Sequence, residues 1–293
     1  MNPCAGRAPS NAPIGIFDSG VGGLSVWRSI RQALPGENLL YLADSGYAPY
    51  GDRSPDWIRA RTAQLVQFLL DQGCKAIVIA CNTATMLAAA YLRAHFSVPI
   101  IAIEPAVKPA AALSRSGCIA LMATRRTIES TGLQNLISQH AAQVQVVRIA
   151  CPGLAERVEA LQLDGPDVEH ELHRYLKPAL SSRADTLVLG CTHYPFLRPS
   201  IERLSAGRFQ IVEPSFAVAS QVRRRLHAAG CLGVRSAGGH SVFISSAPPA
   251  QAQPIIQALS GLPRMTVQPL PTLDTDSSYA LPCARSTFSQ VSI

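Results

Sequence analysis

Lysine is nearly missing from this chain: of 26 basic residues only Lys75, Lys108 and Lys177 are lysine, and the rest are arginine. A pyridoxal enzyme needs a lysine for its Schiff base, and the one lysine near a chemical motif, Lys75, precedes its apolar run and so stands at the wrong end of it. Aromatics are sparse, at 6%. The basic clusters, Arg223 to Arg225 and Arg125 with Arg126, have no interleaved aromatic stripe on which single strands could stack. The net charge of +7 therefore reads as arginine-rich composition, and no nucleic-acid partner is expected. None of the eight cysteines forms a CxxC pair, which excludes zinc ribbons and thioredoxin-like motifs. They are also too few for a disulfide scaffold, so they read as reduced thiols in the cytoplasm. No uninterrupted run of about 18 apolar residues occurs, so no membrane span is expected. Residues 1–13 form a short polar extension without the apolar core of a signal peptide.

What is present is a core. Hydrophobic residues make up 47% of the 293 and charged residues 15%, enough to build two lobes. Short apolar runs recur at Ile14 to Phe17, Leu39 to Leu42, Ala76 to Ala80, Ile100 to Ile103, Cys118 to Met122, Val144 to Ile149, Thr186 to Gly190 and Phe209 to Val212. Each is followed by a turn signal and a helix-like segment. Continuous apolar strands alternating with helices predict an α/β fold of mostly parallel sheets flanked by helices. Ser54 as N-cap and Pro55 at the first position predict a helix from Pro55 to Gln72, and a second is expected from Asp167 to Leu180. From residue 270 the chain is rich in Pro, Ser and Thr and is expected to be poorly ordered to residue 293.

Two segments share a pattern: Ala76-Ile-Val-Ile-Ala-Cys81-Asn82-Thr83 and Thr186-Leu-Val-Leu-Gly-Cys191-Thr192-His193. Each is a buried strand ending on a cysteine and small polar residues, and the cysteines lie 110 positions apart. That separation suits equivalent places in two similar lobes. The expected division is 14–104 with 214–269 as the first lobe and 105–213 as the second. Ligands of open α/β sheets bind beyond the carboxyl ends of the strands, so both thiols point toward a ligand in the cleft between the lobes.

A cysteine after an apolar strand is usually a small buried hydrophobe, the reading given to Cys74, Cys118 and Cys231. Cys81 and Cys191 differ, because each adjoins hydroxyl or amide side chains and a helix N-terminus that favours a thiolate; a pKa below the usual thiol value is expected there. The turn Asp18-Ser19-Gly20-Val21-Gly22-Gly23 opens a helix, and its glycines would let backbone N–H groups approach a carboxylate. Pro49-Tyr50-Gly51 forms another turn beside the cleft. Glu169, His170, Glu171 and His173 could suggest metal ligands, but one helix face without a partner motif reads as solvated surface, and no metal is expected.

The segments IGIFDSGVGGLSV, PYGDRS, IACNTAT and LGCTHYP, in this order, resemble those of glutamate racemases, within the wider aspartate/glutamate racemase superfamily. The resemblance covers residues 13 to 270. It implies cofactor-independent interconversion of L- and D-glutamate, supplying D-glutamate for peptidoglycan, in a cytoplasmic enzyme of a family that commonly forms dimers. It also implies that Cys81 deprotonates D-glutamate with help from Asp18, and that Cys191 deprotonates L-glutamate with help from His193 and Glu159. A plain surface position for Glu159 remains the alternative. Substrate holding falls to Ser19, Pro49, Tyr50, Gly51, Asn82, Thr83, Thr124, Thr127 and Thr192. Many members carry a tyrosine where Gly132 stands. Inversion needs one group to remove a proton and another to deliver one from the opposite face, a demand that two facing thiols meet. Three alternatives stay open: a superfamily relative acting on aspartate or another diacid, a binding protein that holds an amino acid without turning it over, and a secondary nucleic-acid role.

Overall fold

The first apolar run becomes the middle of a sheet. In the computed structural model, which describes residues 11–233 and 238–273, β1 (Ile14–Asp18) is wholly buried. It pairs in parallel with β2 (Leu39–Ala43) on one side and β3 (Ala76–Ile79) on the other, and β4 (Ile100–Ala102) extends the sheet past β3. The next four runs form a second parallel sheet from β5 (Cys118–Ala123), β6 (Gln145–Ala150), β7 (Thr186–Leu189) and β8 (Gln210–Val212). The chain then returns to the first sheet with β9 (Ser241–Ser245) and β10 (Val267–Pro269). The strand orders are β10-β9-β2-β1-β3-β4 and β6-β5-β7-β8.

Within these orders β2-β1-β3-β4 repeats as β6-β5-β7-β8. β3 and β7 thus hold equivalent places, which is the structural reason the two cysteine-ended motifs look alike. Residues on both faces of the central strands are apolar because helices cover both faces.

Local chemistry sets the helices. α1 (Leu24–Ala33) buries Leu24, Trp27 and Ile30 and packs against the helix Ser215–Ala228, which carries the chain back from the smaller sheet to the larger. Trp27 lies 5.2 Å from the Phe243 ring, so the returning segment is held by aromatic burial worth about 1.5–3 kcal/mol per large side chain. α2 (Pro55–Asp71) starts as expected, with the Ser54 hydroxyl accepting from Trp57 N and Pro55 at the first position. α3 (Asn82–His95) follows β3 directly, with Cys81 as its N-cap. The helix Pro166–Leu180 matches the expectation within a residue.

At the amino ends of the first sheet a buried ion pair fixes the chain: Lys75 Nζ lies 2.6 Å from Glu37 Oε2, and Gly233 N donates to Glu37 Oε1 at 2.6 Å. Among the described residues no helix is long and apolar enough to cross a membrane. Of the expected C-terminal tail, Leu270 and Leu273 pack on the larger sheet's core, while residues 274–293 lie outside the described residues, as do residues 1–10 of the N-terminal extension.

Candidate active site

The carboxyl ends of both sheets meet at one cavity of about 280 Å³, near the lower end of the roughly 300–1,000 Å³ common for ligand sites. A small metabolite fits that space. From the larger sheet's half come Ser19 after β1, the turn Pro49, Tyr50 and Gly51 after β2, and Cys81, Asn82 and Thr83 after β3. From the smaller half come Thr124 after β5, Glu159 after β6, and Cys191, Thr192 and His193 after β7. Asp18 and Thr127, both 0% exposed, are buried behind this lining rather than on it. Sequence reasoning missed Ser45, Ala48, Ala155, Glu156 and Ala160, which complete the wall. Ser45 alone had a readable signal, since it stands just past the end of β2, after Asp44.

Cys81 heads a relay. Its Sγ donates to Ser19 Oγ at 3.4 Å, and Ser19 Oγ donates to Asp18 Oδ1 at 2.9 Å. Thr192, from the opposite half, donates to Asp18 Oδ2 at 2.8 Å. Ala84 N at the start of α3 also donates to Cys81 Sγ, at 3.5 Å. These donors do not lower the thiol pKa as expected. Burial, followed by the nearby Asp18 carboxylate, pushes it up to about 12 and overrides the contributions of Ser19 and Ala84. Burial likewise raises the Asp18 carboxyl, against the counteracting His193, Thr192 and Ser19.

Cys191 has a different neighbour. Its Sγ lies 3.6 Å from His193 Nδ1, and His193 Nε2 lies 2.7 Å from Glu159 Oε1. Burial alone would lower the imidazole pKa, but hydrogen bonds to Cys191 and Glu159 and their negative charge outweigh it, and His193 rises well above its ordinary value. Glu159 is no free surface side chain: Val21 N donates to its Oε1 at 2.7 Å and Ser45 Oγ to its Oε2 at 3.2 Å.

The carboxylate that the glycine turn cradles is therefore the protein's own. A Cβ on Gly20 would come 1.9 Å from Glu159 Oε1, and one on Gly22 would come 2.4 Å from His193 Nδ1. The turn is bare so that the opposite half can dock on it. Ser25 Oγ adds a bridge by donating to Gly22 O and to Thr192 O, at 2.9 and 3.1 Å.

Thr83 and Thr124 close the far wall, with Thr127 behind them. Thr83 Oγ1 lies 3.0 Å from Thr124 Oγ1, which donates to Thr127 Oγ1 at 3.0 Å. No described protein group partners either polar atom of the Asn82 amide, which is 3% exposed and lines the cavity. Gly132 lies outside the cavity, beside Met86. Cys74, Cys118 and Cys231 are buried free thiols, as expected. Lys75 is occupied by Glu37 at the opposite end of its strand. On the helix Pro166–Leu180, Glu169 pairs with Arg203 and Glu171 with Arg157, and no group of three potential ligands able to hold a metal occurs among the described residues.

A family model described as Asp/Glu/Hydantoin racemase matches residues 14–222. A glutamate racemase of Methylococcus capsulatus is 48% identical over 88% of this chain and 95% of its own length. One from Pseudomonas aeruginosa is 46% identical over 87% of this chain and 97% of its own. Among solved structures, a glutamate racemase isoform from Bacillus anthracis superposes with a TM-score of 0.81 at 30% identity, covering 89% of this chain and 97% of that one. The Escherichia coli glutamate racemase, solved with L-glutamate and the activator UDP-MurNAc-ala, superposes with a TM-score of 0.77 at 30% identity, covering 88% and 98%. With two matched strand ends presenting thiols to one cavity, the chain is an amino-acid racemase and belongs to the Asp/Glu/hydantoin racemase family, among the glutamate racemases.

Proposed function

We propose that the protein interconverts L- and D-glutamate by a two-thiol mechanism and supplies D-glutamate for peptidoglycan in the cytoplasm. One observation carries this reading: Cys81 and Cys191 stand at equivalent strand ends of opposite halves and line the same cavity. Residues 14–104 with 214–269 and residues 105–213 act as two lobes that close on the substrate.

The two thiols have different partners. Cys81, with a pKa of about 12, is held as a neutral thiol and is poised to give a proton. Cys191 is paired with His193, which Glu159 fixes in place. With L-glutamate, the Cys191 thiolate takes the α-proton, and the Cys81 S–H delivers its proton to the opposite face of the same carbon. The products are D-glutamate, a Cys191 thiol and a Cys81 thiolate, so protons balance. A solvent proton then returns to Cys81 and one leaves Cys191 to solvent, so the net proton count is unchanged. The Ser19 and Asp18 chain orients the first thiol, and His193 with Glu159 the second. With D-glutamate every step reverses.

Among the described residues no arginine or lysine lines the cavity. The substrate carboxylates are instead held by backbone N–H groups at the start of α3, where the helix dipole favours an anion, and by the hydroxyls of Ser19, Thr83, Thr124 and Thr192. Asn82 gains the partner it lacks within the protein. Thr127 acts from behind, by orienting Thr83 and Thr124. Donors fixed in a dry cleft stabilise the charge that develops as the α-proton leaves.

Circular dichroism of purified protein with either glutamate enantiomer, in deuterated buffer and without added cofactor, tests the reading. Inversion with α-deuterium incorporation is expected for the wild type. Cys81→Ala and Cys191→Ala should each abolish inversion. Inversion of aspartate but not glutamate, or turnover retained in both variants, contradicts it.

A further inference from the structure

Between β2 and α2 lies a charged pair, Asp44 and Arg61, set back from the cavity lining. Asp44, directly after β2, is 0% exposed. Arg61, one and a half turns into α2, meets it with both arms of the guanidinium fork: Nε donates to Oδ2 at 2.9 Å and Nη2 to Oδ1 at 2.6 Å. The same Oδ2 accepts from the Tyr50 hydroxyl at 2.6 Å. The guanidinium also lies over the Tyr47 ring at 4.2 Å, and Trp57 stands edge-on to the Tyr50 ring at 5.4 Å.

Tyr50 belongs to the short turn that forms one wall of the cavity, and Gly51 beside it packs toward Thr124 of the opposite half. This turn is a single 3-10 segment, Tyr50–Asp52, too short to hold its own orientation. Its large buried side chain is the Tyr50 ring, and that ring ends on Asp44. Asp44 N in turn donates to Asp18 O at 2.9 Å, so the same residue ties β2 to the strand end that carries the Cys81 relay.

Holding a wall in place needs no ions, because apolar packing of similar volume does it as well or better. A buried bidentate pair does two things that packing cannot. It fixes the acceptor direction for the Tyr50 hydroxyl. It also neutralises a carboxylate that would otherwise stand, uncompensated, beside the site of a substrate with two carboxylates.

We propose that Arg61 is a positioning residue for substrate binding: through its fork on Asp44 it fixes Tyr50 and so holds the Pro49–Gly51 turn against the substrate. This rests on the racemase reading above, since the substrate is the glutamate proposed there.

Steady-state kinetics in both directions test it. Arg61→Lys keeps the charge and loses the fork. The pair Asp44→Asn with Arg61→Met leaves no buried ion unpaired and serves even where the lysine variant does not fold. In each, KM for both enantiomers should rise at least about tenfold while kcat stays within about threefold, the signature of lost binding rather than lost active molecules. Tyr50→Phe should raise KM similarly and add little when combined with Arg61→Lys. An unchanged KM in a variant with a native far-UV spectrum and cooperative melting overturns the proposal, as does full additivity of the Tyr50 and Arg61 changes. Wild-type inversion of glutamate reports separately on the racemase reading; only the ratio of variant to wild type bears on Arg61.

Discussion

Glu159 belongs to the half built on the smaller sheet, yet Val21 N of the larger half's glycine turn donates to its Oε1 at 2.7 Å, and the same oxygen lies 2.7 Å from His193 Nε2. Asp18 mirrors it, since it belongs to the larger half and accepts from Thr192 of the smaller. Each half's acid is thus held by the other half. The acids and their sulfur partners are aligned only while the halves are together.

Gly20→Ala tests that coupling. The backbone at Gly20 has no positive φ, so alanine is tolerated there conformationally. Its Cβ would nevertheless stand 1.9 Å from Glu159 Oε1, and the carboxylate must swing away from Val21 and His193. Hydrogen bonds to charged groups contribute about 1.5–3 kcal/mol, which corresponds to a fall in kcat/KM of roughly 10- to 100-fold in both directions. Native circular dichroism with that loss is the expected outcome. Undiminished turnover would show that the Glu159 contact is dispensable.

His193 makes stability depend on pH in a stated direction. Its folded-state pKa is raised above the ordinary imidazole value, so the protonated ring binds Glu159 and Cys191 more tightly than the neutral one. The stabilisation is complete below about pH 6.5, where the unfolded chain's imidazole is also protonated, and is lost as pH rises through the folded-state pKa. The melting temperatures of wild type and His193→Gln should therefore differ most near pH 6 and converge on the alkaline side. A gap that widens with rising pH would contradict this assignment.

Eight of the ten strands among the described residues were legible because each falls on a run rich in aliphatic residues, wholly buried in β1, β2, β3, β5 and β7 and partly exposed at the edges in β6 and β8. β9 and β10 were not. Ser241–Ser245 carries only three apolar residues between serines, and Val267–Pro269 only one, so their strand character comes from the neighbouring strand they pair with. The site was legible as motifs, because Cys81, Asn82, Thr83 and Cys191, Thr192, His193 stand at strand ends. The electrostatics were not. That Cys81 is driven up by burial beside Asp18, and that Gly20 and Gly22 make room for Glu159 and His193, depends on residues more than 60 positions apart coming into contact. Arg61 was invisible for a similar reason, since an arginine in an amphipathic helix gives no sign of a buried acid to meet it.

Lys75 offers a control far from the chemistry. Its ammonium is buried against Glu37 at the amino ends of the strands. Removing one partner of a buried pair strands the other charge and costs about 3–5 kcal/mol. Lys75→Met should lower the melting temperature and the denaturant midpoint by a corresponding amount, while kcat per folded molecule stays unchanged. A selective loss of kcat would instead connect this end of the sheet to the site.

Cys81 should react slowly with alkylating agents, and Asp18 should help control its rate. Alkylation requires the thiolate, and a Cys81 pKa of about 12 leaves only about one molecule in 10,000 ionised at pH 8. Its labelling by iodoacetamide, followed by peptide mass mapping, should rise about tenfold per pH unit across the accessible alkaline range. Burial is the larger reason for the high Cys81 pKa and the Asp18 charge the second, so Asp18→Asn should speed Cys81 labelling without bringing it to the rate of an exposed thiol. Slower labelling in that variant would mean that Asp18 acts on Cys81 by drawing its proton through Ser19 rather than by opposing its charge.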